Sequence, residues 1–203
     1  MRGARLPLLG LALAVVAVAT GCASSRVVNQ WTNPAYAAPR FQRIMVIGIT
    51  KQPSIRRAFE DEFVARLKEK GVDAVQSYLS LPEDGPVEEA RLNEAVRQAN
   101  ADATITTRLV NVDKRTEVRP GMYAPYGFYR GYAGAWWGYY EPPIVYQYDV
   151  YVSETSLYDV KNNQLVWSGV VQTEQPGEIR KEIVHYVGVV IDALKDRHLL
   201  AAR

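Results

Sequence analysis

The chain has 203 residues, with 24 Lys and Arg against 22 Asp and Glu, two His and a single Cys. A balance this close to neutral argues against nucleic acid as a partner, because that needs a basic face to displace counterions. One cysteine leaves no intramolecular disulfide, and so few Cys and His side chains speak against a structural zinc site.

Residues 1–21 predict a signal peptide. Arg2 and Arg5 form a positive start, and Leu6 to Ala19 (LPLLGLALAVVAVA) is an apolar run. That run has the length of a signal-peptide core and falls short of the roughly 20 residues of a spanning helix. Small residues then lead to the cysteine: Ala19-Thr20-Gly21-Cys22. This segment resembles the bacterial lipobox, with Ala19 where Leu is usual. The resemblance implies a diacylglyceryl group on the Cys22 thiol, cleavage before Cys22 and acylation of the new amine by a fatty acid such as palmitate. Three acyl chains, at roughly 0.8 kcal/mol per buried CH2, make such an anchor effectively permanent. The alternative is an ordinary secretory signal with an incidental cysteine. Ala23 follows where inner-membrane lipoproteins tend to carry Asp, so the implied location is the periplasmic face of the outer membrane. Processing removes Arg2 and Arg5 and leaves 22 basic against 22 acidic side chains. A formally neutral chain does not adhere to anionic lipid by charge alone.

Residues 22–41 read as a lipidated tether, with a short strand possible over Val27–Trp31 and breakers at Asn33-Pro34 and Pro39. Residues 42–203 read as one α/β domain. Arg43–Thr50 (RIMVIGIT) is a near-continuous apolar run, expected to be a buried parallel strand. Gln52-Pro53-Ser54 opens a helix in which Ile55, Phe59, Phe63 and Leu67 form the buried face. Arg56, Arg57, Glu60, Asp61, Arg66 and Lys68 are assigned to its solvated face, and Gly71 to the stop. Val72–Tyr78 reads as a second strand. Val87–Ala99 reads as a second helix, with Leu92, Ala95, Val96 and Ala99 inward. Asp102–Val112 reads as a third strand, extending toward Val118.

Residues 120–145 interrupt the pattern. From Pro120 to Tyr140 the segment holds six Tyr, two Trp, one Phe and five Gly, with Arg130 its only charge. A loop this long within a compact domain is usually functional or disordered. Tyr123, Tyr126, Phe128, Tyr129, Tyr132, Trp136, Trp137, Tyr139 and Tyr140 are the candidate partner contacts. Such rings suit a protein hot spot, a membrane interface, a sugar face or simply a cover over the domain's own sheet.

Tyr146–Val160 is the next strand. Tyr146, Tyr148, Val150 and Val152 share one parity and Leu157 the other, which predicts a bulge near Glu154. A turn at Lys161–Gln164 returns Leu165–Thr173 as its hairpin partner. A last helix carries the stripe Ile179, Ile183, Val187, Val190 and Leu194. The expected fold is an α/β sandwich of two or three layers on a mixed sheet, in the order β-α-β-α-β, insert, β-β-α. The insert then sits at the tip of a projecting hairpin.

The stretch SETSLYDVKNNQLVWSGVV resembles a family of uncharacterised bacterial lipoproteins. Thr155, Leu157, Asp159, Leu165, Val166, Trp167 and Gly169 follow the family's pattern of a "D" strand, a turn and "L-V-W-x-G", while Ser156 and Tyr158 depart from it. Such proteins also often carry a Gly/Tyr/Trp-rich insert before these strands; the resemblance implies an envelope location and points to no particular chemistry. In the N-terminal half, Arg57, Phe59, Glu60, Phe63, Leu67 and Ser77 are similar to the α/β domain of the curli-secretion lipoprotein and of lipoprotein activators of penicillin-binding proteins.

No catalytic set emerges. His185 points away from the apolar stripe, His198 lies thirteen residues on, and the two do not share a helical turn. Lys51, Ser54, Arg56 and Arg57 stand where α/β folds bind anions, but read as a charged first turn. Asp61/Glu62 and Glu88/Glu89 are helix neighbours that point apart. Trp167, alternating with Leu165, reads as a core ring. The chain is therefore expected to be non-enzymatic, with no cofactor or metal. The sequence favours a lipid-anchored envelope protein that docks or assembles through its aromatic hairpin, on an envelope protein or on itself. A membrane-active, secretion-pore-like oligomer is the alternative.

Overall fold

The computed structural model describes residues 25–37, 40–82, 85–119, 144–174 and 177–201. Its elements are β1 (Ser25–Thr32), β2 (Arg43–Ile49), α1 (Pro53–Glu69), β3 (Asp73–Gln76), a 3-10 turn (Ser77–Leu79), α2 (Glu89–Gln98), β4 (Ala103–Arg119), β5 (Ile144–Asp159), β6 (Gln164–Glu174) and α3 (Ile179–Asp196). The six strands form one mixed sheet in the order β1-β6-β5-β4-β2-β3. β2 is parallel to β3 and β4, and the remaining neighbours are antiparallel. The α/β sandwich and the element order expected from the sequence are present, with β1 added as an edge strand.

Strand parity divides the core. Ile44 and Val46 of β2 face α1 and α3, and join Phe63, Leu67, Leu157, Trp167, Val187, Val190 and Leu194 in the larger cluster. Met45 faces the other way and packs with Ala95 and Val96 of α2, against half-buried Ile47 and Leu92. Helices thus cover both faces, with α2 over the parallel end. Burying each such aliphatic or aromatic side chain contributes about 1.5–3 kcal/mol.

Helix α1 opens on Pro53, whose missing N–H costs nothing in the first turn. It ends in a Schellman motif. Gly71 adopts φ 84°, its N–H donates to the Lys68 carbonyl (2.9 Å), and the Val72 N–H donates to that of Leu67 (3.0 Å).

Several expectations need correction. Arg56 and Glu60 are buried within α1's packed side, not solvated. Their charges are taken out of water as a hydrogen-bonded pair (2.9 Å) with further partners, the condition under which ionised groups enter a core. The second strand stops at Gln76, because Ser77–Leu79 turns to meet Glu60. Strand β5 carries no bulge at Glu154. The extra residues are Val110 in β4 and Val166 in β6. β5 simply buries Val150 on one face and Thr155 and Leu157 on the other. Ile179, expected in α3's apolar stripe, is 58% exposed, and its neighbours Arg180 and Lys181 in the first turn are exposed too.

Candidate functional site: the β4–β5 ribbon

β4 and β5 pair antiparallel from Ala103↔Asp159 to Arg119↔Ile144. Their outer neighbours stop sooner: β2 leaves β4 at Arg108, and β6 leaves β5 at Val150. Beyond that point Lys114–Arg119 and Ile144–Asp149 form a two-stranded ribbon of six rungs that pairs with no other strand among the described residues. At ~3.4 Å per residue it extends about 20 Å past the sheet. In sequence, the ribbon's outer ends, Arg119 and Ile144, flank the aromatic segment. The nine aromatic residues Tyr123, Tyr126, Phe128, Tyr129, Tyr132, Trp136, Trp137, Tyr139 and Tyr140, and Cys22, all lie outside the described residues.

The ribbon's chemistry changes along its length. At its root Val150 is fully buried. Arg115 Nη2 donates to Gln172 Oε1 (3.4 Å), and Arg115 Nη1 lies 3.7 Å from Glu174, which also pairs with Arg26 of β1 (2.7 Å). These exposed contacts tie ribbon, β6 and β1 together at no more than about 1 kcal/mol each. The bulge at Val110 lies just below and sharpens the local twist. Farther out, apolar side chains stand in solvent: Val118 is 57% exposed, Ile144 52%, Val145 55% and Tyr146 44%. Val118 faces Val145 on one side of the ribbon, while Ile144 and Tyr146 occupy the other. Sequence reading placed Val118 and Tyr146 in strands. It missed them as surface, because only the register shows where β2 and β6 stop.

The register also fixes a line across the sheet. Ser25 pairs with Thr173, Thr173 with Tyr151, and Tyr151 with Val112. The line is stitched by a buried hydrogen bond between the Ser25 and Thr173 hydroxyls (2.8 Å). β1 therefore begins at the same end of the sheet from which the ribbon projects.

Other candidate groups go elsewhere. Glu60 Oε1 accepts from the Gly48 N–H (2.9 Å), Arg56 Nε (2.9 Å) and Ser77 Oγ (2.8 Å), and Oε2 from the Tyr78 N–H (3.0 Å). Arg56 also donates to the Pro82 carbonyl (2.6 Å) and to Ser77 Oγ (2.8 Å). Each guanidinium nitrogen and each carboxylate oxygen of the pair makes at least one hydrogen bond, so the pair ties α1 to β2 and the 3-10 turn. Asp61 accepts from the Tyr78 hydroxyl (2.7 Å), which raises that phenol's pKa, while Glu62 pairs with Arg66 (2.8 Å). Glu88 caps α2 and Glu89 opens it, without forming a paired acid. Lys51, Ser54 and Arg57 are exposed, as are His185 and His198. Among the described residues no three His, Cys, Asp or Glu come together as metal ligands. Trp167 is fully buried, its Nε1 donating to Gln30 (3.2 Å). Tyr186 lies in the core, sharing a hydrogen bond with Thr155 (2.8 Å); burial pushes its phenol up to about 12.

Residues 88–192, slightly more than half of the 203-residue chain, match a domain of unknown function, DUF4136. The chain belongs to the DUF4136 family. The DUF4136 match takes in α2, the whole ribbon and the β5–β6 hairpin with Trp167 and Gly169, where the sequence resembles uncharacterised lipoproteins. The stretch resembling the curli-secretion and penicillin-binding-protein-activator lipoproteins precedes it. No curated protein matches the chain. Among solved structures, the PelC dodecamer from Paraburkholderia phytofirmans is 17% identical, covering 88% of this chain and 99% of its own, with a TM-score of 0.47. Lipoprotein GNA1162 from Neisseria meningitidis is 11% identical, covering 76% of this chain and 96% of its own, at 0.40. At these scores neither likeness bears on what this chain does.

Proposed function

We propose that this DUF4136 protein is a non-enzymatic, lipid-anchored lipoprotein of the cell envelope, held by Cys22 at the periplasmic face of the outer membrane. Its β4–β5 ribbon, together with the aromatic segment between the two strands in sequence, is the arm by which it docks. The observation that carries this reading is that the ladder runs six rungs past its neighbours and bares Val118, Ile144, Val145 and Tyr146 there. An isolated two-stranded hairpin is only marginally stable in water, so such a ribbon calls for a covering surface. The Ala19-Thr20-Gly21-Cys22 segment supports the anchor. A photo-crosslinking amino acid at Tyr146 or Trp136 in living cells tests the arm, with Arg91 on α2 as the control. Capture at the first two positions and not at Arg91 is expected. Equal capture at all three, or none at the ribbon, refutes a docking arm.

A further inference from the structure

We infer that the surface the ribbon docks on is the lipid leaflet that holds the chain's own anchor. The inference rests on the reading of Cys22 as lipidated, and adds to it a geometry. Cys22 stands three residues before Ser25, so the two are separated by at most about 11 Å of extended chain. Ser25 opens the line Ser25–Thr173–Tyr151–Val112, which crosses the sheet to the ribbon's root. Three strand spacings of ~4.8 Å put that root about 14 Å from Ser25. β1 and β5 are both antiparallel to β6 and so run in the same direction. The residues that precede Tyr151 in β5 are the ribbon, and it therefore leaves the line on the side from which β1 starts. A tether of at most about 11 Å holds the line near the leaflet, and a ribbon of about 20 Å outreaches it by about 9 Å. Interfacial elements bury their apolar parts about 5–10 Å into the headgroup and acyl boundary.

The ribbon's composition agrees. Lys114, Arg115 and Asp149 lie on its inner rungs, and Val118, Val145, Ile144 and Tyr146 on its outer ones. The apolar side chains occupy both faces, whereas a strand pair lying on a protein surface needs only one. Glu117 and Arg119 also stand on the outer rungs; their opposite formal charges cancel. Tyr146 brings an aromatic ring with a polar end, the side chain favoured at membrane–water interfaces.

The test uses the full-length, membrane-processed protein carrying one introduced cysteine, Ile144→Cys or Val145→Cys, on opposite faces of the ribbon, with Arg91→Cys on α2 as the control. Each chain is labelled with a nitroxide and reconstituted in vesicles of phosphatidylethanolamine and phosphatidylglycerol. Collisions with oxygen and with a water-soluble nickel chelate are then measured. All three positions are exposed, so the variants fold, and far-UV circular dichroism checks that they do. An oxygen-to-nickel ratio several-fold above the Arg91→Cys control at both ribbon positions is expected. A ratio equal to the control overturns the inference while leaving the anchor intact. Exclusion of both colliders with spin–spin broadening between labels also overturns it, in favour of a second copy of the chain. The anchor is read independently by mass: acylated Cys22 takes no label, and a second label on it overturns the anchor reading together with this inference.

Discussion

Gly169 has no side chain because Trp167 lies across it. A Cβ built at Gly169 would fall 2.2 Å from the ring's Cη2 and 2.5 Å from Cζ2, inside any permissible contact. The "W-x-G" spacing thus records a packing requirement between same-face neighbours two residues apart on one strand, and not a binding motif. Gly169→Ala is expected to cost about 1–3 kcal/mol, the usual range for overpacking a filled core. In a Trp167→Leu background the same change costs much less, since the coupling between the two sites is direct contact. Chemical denaturation of the four proteins of this cycle measures the difference; equal costs in both backgrounds refute the account. Trp167 is a core ring as expected, but not by alternation with Leu165, because the extra residue Val166 lies between them and breaks the parity. Sequence reading assigned Arg56 and Glu60 to solvent because charged residue types are almost never fully buried unless paired. Their pairing depends on Ser77 and Gly48, which lie 17 and 12 residues from Glu60. Removing one partner of such a pair costs about 3–5 kcal/mol, whereas replacing both with apolar residues is often neutral.

Among the elements, helices were the more legible. The four-residue recurrence of Phe59, Phe63 and Leu67 appears as a buried face, and Gly71 as a left-handed stop. The strands were legible in existence but not in register. β5 buries Val150 on one face and Leu157 on the other, and both irregularities sit in its partners, where β5's own alternation cannot report them. Helix α3 carries a titration. Its Tyr186 is pushed up to about 12 by burial, and Tyr36 likewise, by burial and then by the Asp159 and Asp102 charges. A phenol whose folded pKa exceeds its unfolded value of about 10 favours folding below that value. The contribution is lost as pH rises from about 10 to 12, where the unfolded chain has released a proton that the folded one keeps. The melting temperature should therefore fall over that window. It should fall less steeply in Tyr186→Phe, whose remaining slope comes from Tyr36 and Tyr78. An unchanged slope in that variant contradicts the assignment to Tyr186.

In the whole molecule, the sheet is closed by its most distant pairing. Ser25 bonds Thr173 across 148 residues, so β1 completes the antiparallel side only after β6 exists. Contacts of that separation slow folding, because loop closure precedes their reward. Deleting residues 25–32 leaves the β6 edge unpaired, an invitation to intermolecular strand addition. The truncated chain is expected to melt earlier and to aggregate in proportion to concentration, as light scattering would show. A monomeric truncation with the full-length melting temperature would demote β1 to an ornament. Sequence reading allowed a strand over Val27–Trp31 but gave no partner for it, since nothing local to that stretch encodes β6.

The edge position of β1 has a mechanical side. A pull on Cys22 reaches the fold at Ser25, at one end of a strand laid antiparallel along β6. Directed along that strand, the load falls on all its hydrogen bonds together and shears them, instead of opening them one after another. On the proposed anchoring, a force that draws Cys22 out of a bilayer along β1 meets the sheet at its most resistant angle. A sideways tug on the same residue would peel β1 away from its end.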